Sequence, residues 1–291
     1  MDAESAFTFG ERLGRAFARN GQLCVGIDPH SWLLTEWGLP DSAAGAESFG
    51  RTVVAAAAGK VGILKPQVAF FERFGSAGYV ALERVLTDAR AAGLVVIADV
   101  KRGDLGTSVE AYADAWLTPG SSLEVDAITV NPFMGVGSLD LSFTVASRHG
   151  KGLFVLAATS NPEAAVIQQA IVAHGTSTGH SVSRVVFDDV AERNTQANTG
   201  ALGSFGVVLG ATLDLSEFGI DTSLAPALAL TPVLAPGFGH QGGDIMDLIS
   251  IYGKYSGGVV VSESRSVLSA GPVRLADAIA RRVTEVGAVR G

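Results

Sequence analysis

A chain of 291 residues that is 47% hydrophobic and 17% charged has enough apolar surface to bury a large core, which excludes a disordered or low-complexity protein. Its 21 Lys and Arg against 29 Asp and Glu give a formal charge of -8, so no chain-wide attraction for nucleic acid exists and an anionic ligand needs a local basic site. The single cysteine, Cys24, excludes an intramolecular disulfide, and the acid-bearing stretch from Met1 to Phe17 does not read as a secretory signal, so the expected compartment is the cytoplasm.

Short runs rich in Val, Ile and Leu recur along the chain, each followed by a longer stretch of helical composition, and eight of them are expected to be strands. The first, Gln22 to Asp28, holds Cys24 as a packing residue and ends on Asp28; the second, Val61 to Lys65, ends on Lys65. The third, Leu94 to Lys101, leads through Asp104 into a helix expected from near Thr107. The fourth is Asp126 to Asn131, and the fifth, Gly152 to Thr159, is followed by Ser160. After it comes the longest interval, Asn161 to Ser204, whose polar section from His174 to His180 reads as a surface loop. The sixth run is Phe205 to Ala211. The seventh, Leu230 to Ala235, lies inside Thr222 to Gly243, a stretch with no Asp, Glu, Lys or Arg; its Pro226, Pro232 and Pro236 exclude a membrane helix and leave a buried strand between loops. The eighth, Gly257 to Ser262, is followed by Ser264 and Arg265.

Eight strand–helix units in a chain of this length predict an α/β fold, a (β/α)8 TIM barrel formed as one domain over residues 1–291. Polar groups gather at the same end of strand after strand, where such barrels carry their chemistry, and buried charges are costly unless paired. On the third strand the two-residue period puts Ile97, Asp99 and Lys101 on one face and Val96, Ala98 and Val100 on the other, so Asp99 and Lys101 are expected to point together into the barrel mouth. Asp104, three residues on, is close enough in sequence to join that charge network or one nearby.

Other motifs carry less. The five histidines show no H-x-H or H-E-x-x-H spacing, so no metal site is expected. Trp32, Trp37 and Trp116 read as core or interface anchors. Gly237, Gly239 and Gly242 fit a dinucleotide fingerprint, with Glu263 where its acidic residue belongs, but the match follows six earlier strand–helix units instead of opening a domain. It also leaves Asp28, Lys65, Asp99 and Lys101 unexplained.

The run DVKRGDLGTS, Asp99 to Ser108, resembles the D-x-K-x-x-D signature of the orotidine 5'-monophosphate decarboxylase family, in the form found in its longer-chained, mycobacterial-type bacterial branch. Gly26-Ile27-Asp28-Pro29, Lys65-Pro66, Thr129-Val130-Asn131-Pro132, Thr159-Ser160-Asn161-Pro162, Pro236 to Asp244 and Ser262 to Ser266 extend the resemblance along nearly the whole chain. Leu105 stands where the family has Ile, and Ser108, where it has Thr, keeps the hydroxyl. The resemblance implies decarboxylation of orotidine 5'-monophosphate to UMP in pyrimidine biosynthesis, without metal or cofactor, by Asp99, Lys101 and Asp104. It implies that Asp28 and Lys65 bind ribose hydroxyls and that Ser160 and Gln241 meet the pyrimidine. Arg265 would hold the phosphate, with Gln241 approaching it, and Gly242, Gly243 and Ser264 would line the same site. It also implies a homodimer in which Asp104 and Ser108 reach into the neighbouring subunit's site; no nucleic-acid or membrane partner is expected.

Overall fold

Eight parallel strands pair in chain order and close on themselves: β1 (Leu23–Ile27), β2 (Ile63–Pro66), β3 (Val95–Arg102), β4 (Ala127–Val130), β5 (Gly152–Ala158), β6 (Phe205–Leu209), β7 (Val233–Pro236) and β8 (Val259–Glu263). The computed structural model describes residues 7–197, 200–224 and 229–289. Helices return the chain from strand to strand, as parallel pairing requires, except between β6 and β7, where the described residues hold only the 3-10 turn Leu215–Phe218; the molecule is the expected TIM barrel. Every predicted strand is present, to within three residues at either end. The largest difference is at β7, because Leu230 makes only an isolated bridge to Leu202 and Pro232, which lacks an N–H, delays regular pairing until Val233.

The two-residue period of the strands sorts side chains into two cores. Each strand contributes one residue to the inner layer: Cys24, Ile63, Ile97, Ala127, Phe154, Val208, Leu234 and Val260. The alternate positions face the helices in a larger outer core. A helix ahead of the first strand, Phe9–Asn20, forms the floor of the barrel by inserting Phe9, Leu13 and Ala16 beneath the inner layer. It starts sharply because Thr8 and Glu11 form a reciprocal capping box. Phe9 packs edge-on against Phe154, with ring centroids 5.9 Å apart, and a side chain at Gly152 would stand 2.4 Å from the Phe9 ring. The glycine that opens β5 is therefore set by the plug below it.

The Asn161 to Ser204 interval holds more structure than a loop. It contains the short helix Ala165–Gln168, an isolated antiparallel bridge between Ile171 and Ser181, and the crossover helix Val182–Ala197. Of the three prolines in the uncharged stretch, Pro226 lies outside the described residues. Among the described residues no helix is long and apolar enough to cross a membrane. Trp116 is buried, Trp37 is partly buried with its Nε1 donating to the Leu268 carbonyl, and Trp32 is exposed beside His30.

Candidate active site

Asp99 is the centre of the polar network at the C-terminal end of the barrel. Its Oδ2 accepts from Lys65 Nζ at 2.9 Å and Gln67 Nε2 at 3.0 Å; its Oδ1 accepts from Lys101 Nζ at 2.6 Å and Thr129 Oγ1 at 2.9 Å. A carboxylate with two donors on each oxygen has its acceptor capacity filled. Burial by itself would raise the pKa of Asp99, which is 8% exposed, but the charges of Lys65 and Lys101 and their hydrogen bonds hold it far below the usual carboxylate range. Lys65 shows the converse balance: burial disfavours its ammonium, and the nearby carboxylates of Asp99 and Asp28 more than offset this, so its pKa is raised.

Asp99 and Lys101 meet as expected, but regular alternation is not what joins them. The register of β3 against β4 shifts between Ala98 and Arg102, and Lys101 has φ of 47°, the sole positive φ among the described non-glycine residues. This left-handed residue turns the lysine into the mouth at a conformational cost that its surroundings must offset. Thr129, at the end of the neighbouring strand, supplies part of that support: its hydroxyl accepts from the Lys101 backbone N–H at 2.9 Å while donating to Asp99.

The seam where β8 closes on β1 places a second carboxylate. Asp28 Oδ2 accepts from Ser264 Oγ at 2.6 Å, and Asp28 Oδ1 is buried without a hydrogen-bond partner among the described residues. Gly26 allows this pairing, since a Cβ there would lie 2.0 Å from the Ser264 hydroxyl oxygen. Asp28 is thus left with one acceptor atom for a ligand hydroxyl.

These groups line a cavity of about 290 Å³ together with Ser160, Gln241 and Arg265. The guanidinium of Arg265, the first residue of the helix Arg265–Leu268, makes neither an ion pair nor a hydrogen bond with any described residue. Gly242 and Gly243 are absent from the cavity wall; their N–H groups donate to the carbonyls of Gly239 and Gly237 and close the loop on itself. That fold also disposes of the dinucleotide reading, because a 3-10 turn at Gly239–Gln241 replaces the helix start that a pyrophosphate needs. Glu263 is not a ribose ligand in waiting but a buried carboxylate, accepting from Arg282 Nε at 2.7 Å and Ser266 Oγ at 2.6 Å.

Asp104 and Ser108 lie outside the cavity. Among the described residues the Asp104 side chain accepts only the N–H of Leu105, at 2.8 Å, and Ser108 is exposed on the first turn of the helix Gly106–Leu117. The structure also adds Gln67 and Thr129, which the sequence alone does not mark as site residues. Both sit in or beside motifs singled out there, Lys65-Pro66 and Thr129 to Pro132, so position at a strand end was the available signal.

Comparison with known proteins agrees with this fold. The profile of the family described as orotidine 5'-phosphate decarboxylase / HUMPS matches residues 21–276. Orotidine 5'-phosphate decarboxylase of a Nocardioides species is 51% identical over 261 residues, covering 89% of this chain and 91% of that one. That of Streptomyces coelicolor is 48% identical over 265 residues, covering 91% of each chain. Among solved structures, a Streptomyces avermitilis protein assigned to orotidine 5'-phosphate decarboxylase superposes with a TM-score of 0.90 at 45% identity, covering 99% of this chain and 98% of that one. The Leishmania donovani OMP decarboxylase superposes with a TM-score of 0.76 at 26% identity, over 98% of this chain and 99% of that one. A barrel with this charge network, matched by the family profile along most of its length and by relatives near half identical, belongs to the orotidine 5'-phosphate decarboxylase / HUMPS family.

Proposed function

We propose that this chain decarboxylates orotidine 5'-monophosphate to UMP and carbon dioxide in pyrimidine biosynthesis, using neither metal nor organic cofactor. The observation that carries the proposal is the Asp99 carboxylate held by Lys65, Gln67, Lys101 and Thr129 at the base of a cavity whose rim bears the uncompensated Arg265. With both oxygens engaged by protein donors, Asp99 is a poor metal ligand and a well-fixed negative charge.

In this reading Arg265 and Gln241 hold the substrate phosphate, Asp28 and Lys65 the ribose hydroxyls, and Ser160 with Gln241 the pyrimidine. Ser264 keeps Asp28 in place. Remote binding energy then forces the C6 carboxylate of the substrate against Asp99, and the repulsion between like charges eases as the C6–carboxylate bond breaks. The electron pair stays on C6, where the Lys101 ammonium stabilises it and delivers a proton; solvent reprotonates the amine after release. The glycine-rich loop from Pro236 to Gly243, with part of the Asn161 to Ser204 interval, closes over the phosphate and excludes water.

We also propose a homodimer in which Asp104 and Ser108 complete the partner's site. Two features support it: Asp104 faces no cationic side chain among the described residues, and the exposed apolar side chains of Leu105, Tyr112, Phe133 and Met134 occur on the elements around it.

The deciding assay follows the absorbance of orotidine 5'-monophosphate in excess chelator. Conversion to UMP by the native protein and not by Lys101→Ala is the expected result. No turnover by the native protein, or turnover that returns only with added metal, would reject the proposal and favour the sugar-phosphate chemistry of metal-dependent barrels.

A further inference from the structure

A larger cavity lies at the opposite end of the barrel. It has a volume of about 410 Å³ and is walled by the floor helix Phe9–Asn20, the end of the helix Gly75–Ala91, and the segments that enter β3, β4 and β5. Five basic side chains line it, Arg12, Arg15, Arg19, Arg90 and Lys151, with His149 beside them and only Glu124 and Asp126 in opposition. In a chain of formal charge -8, such a concentration is a local reversal of sign.

The two carboxylates are already committed. Asp126 accepts from Arg12 Nη2 at 2.9 Å and from the Val96 backbone N–H at 2.9 Å; Glu124 accepts from Lys151 Nζ at 2.7 Å and from the Gly120 N–H at 2.8 Å. That leaves Arg15, Arg19 and Arg90 with no carboxylate partner among the described residues. Arg15 lies over the Phe7 ring, and Arg90 donates to the Glu124 carbonyl and the Thr87 hydroxyl. Arg19 makes no side-chain hydrogen bond with any described residue. Arg12, Arg15 and Arg19 follow the i, i+3, i+7 spacing that places them on one helix face, where like charges repel. Among the described residues no carboxylate pairs with Arg15 or Arg19, and Arg90 is held by two neutral acceptors near Glu124, so the concavity carries a surplus of positive charge.

We infer that this cavity binds an oligophosphate, a ligand with two or more linked phosphate groups, through Arg15, Arg19 and Arg90. Planar guanidinium groups suit phosphate oxygens, and three surplus positive charges match a chain of phosphates better than a single one. Inorganic polyphosphate and the tail of a nucleoside triphosphate share this chemistry, and both serve as probes.

The test is calorimetric titration of the intact protein with inorganic tripolyphosphate and, separately, with ATP, at low and moderate salt. Saturable binding is expected for tripolyphosphate, weakened at least tenfold by Arg15→Ala/Arg19→Ala, restored in part by the paired Lys substitutions, and unchanged by Arg265→Ala. Affinity should fall as salt rises, because the site is open to solvent. Equal affinity for ATP assigns recognition to the phosphates alone, and tighter ATP binding adds a contact to the nucleoside; both support the site. Absence of saturable binding overturns it. So does binding that Arg265→Ala abolishes and the floor substitutions leave intact, since that places the anion in the barrel mouth. The floor variants should retain native decarboxylase activity and native circular dichroism, so a loss of binding reports the site and not the fold.

Discussion

Thr129 couples two features on which the proposed mechanism rests, a fixed Asp99 charge and a lysine held in a left-handed conformation. Replacing it with Val keeps the shape, removes the hydroxyl and leaves the Lys101 N–H without its acceptor. An unmet hydrogen bond of this kind costs about 1–3 kcal/mol, roughly five- to more than a hundredfold if expressed in the transition state. Thr129→Val is therefore expected to lower kcat by about tenfold or more with little change in KM, while Thr129→Ser restores it; steady-state kinetics with unchanged kcat would show the hydroxyl to be idle. The Lys65–Asp99 pair makes a second prediction, through stability. Asp99 has a folded pKa below its unfolded value of about 3.9, so its contribution is complete above that pH and is lost as pH falls toward the folded value. Lys65 has a folded pKa above its unfolded value of about 10.4, so its share is complete below that pH and is lost as pH rises through the folded value. Urea unfolding should show a plateau between the two limits, and Asp99→Asn should flatten the acid limb while lowering the plateau. Parallel acid limbs in the two proteins would contradict the assignment.

Barrel closure depends on elements that the site residues do not reveal. Glu263 ends β8 with its side chain fully buried, and Arg282, from the last helix, Gly271–Ala288, neutralises it. Removing one partner of a buried pair strands the other, at about 3–5 kcal/mol. Arg282→Ala should lower the unfolding free energy by roughly that amount, and Glu263→Gln in the same chain should recover part of it; denaturation curves that superpose on the native one would show the pair to be dispensable. The strands themselves were legible because short Val, Ile and Leu runs with polar ends, alternating with helical stretches, have few other uses in a globular chain. The floor helix was not read, since Phe9, Leu13 and Ala16 have the spacing of any amphipathic helix and nothing local says that they plug a barrel. The union of Asp99 with Lys101 was legible, but the irregularity that achieves it was not, because alternation assumes an unbroken pleat. Gln67 and Thr129 escaped notice for a different reason: neutral hydrogen-bonding side chains at strand ends look alike whether they hold a catalytic carboxylate or only pack. The motif suggested that Gly242 and Gly243 meet a ligand, yet their N–H groups are spent inside the loop, a pairing that only the folded loop reveals.

One barrel contains nearly all of the proposed site, and the residue it fails to bring in is the acid that ends the signature. Asp104 is carried away from its own Lys101 by the turn that starts the helix Gly106–Leu117, and among the described residues its carboxylate meets only the next residue's N–H. If the acid serves catalysis, a second copy must supply it, and a two-fold interface would make the exchange mutual. Each site would then combine Asp99 and Lys101 from one subunit with Asp104 and Ser108 from the other. The consequence can be measured by complementation. Lys101→Ala and Asp104→Ala dimers lack an essential group in both sites and should be nearly inactive. In a mixed dimer, one site collects both defects and the other has none. Random pairing of equal amounts makes about half of the dimers mixed, so roughly a quarter of all sites should recover on co-refolding, given equal dimer stabilities. Activity should rise with the fraction of mixed dimers, measured by native mass spectrometry with one variant isotope-labelled. Mixed dimers that form but stay inactive would confine Asp104 to its own subunit, where the observed geometry leaves it more than a hydrogen bond away from Lys101.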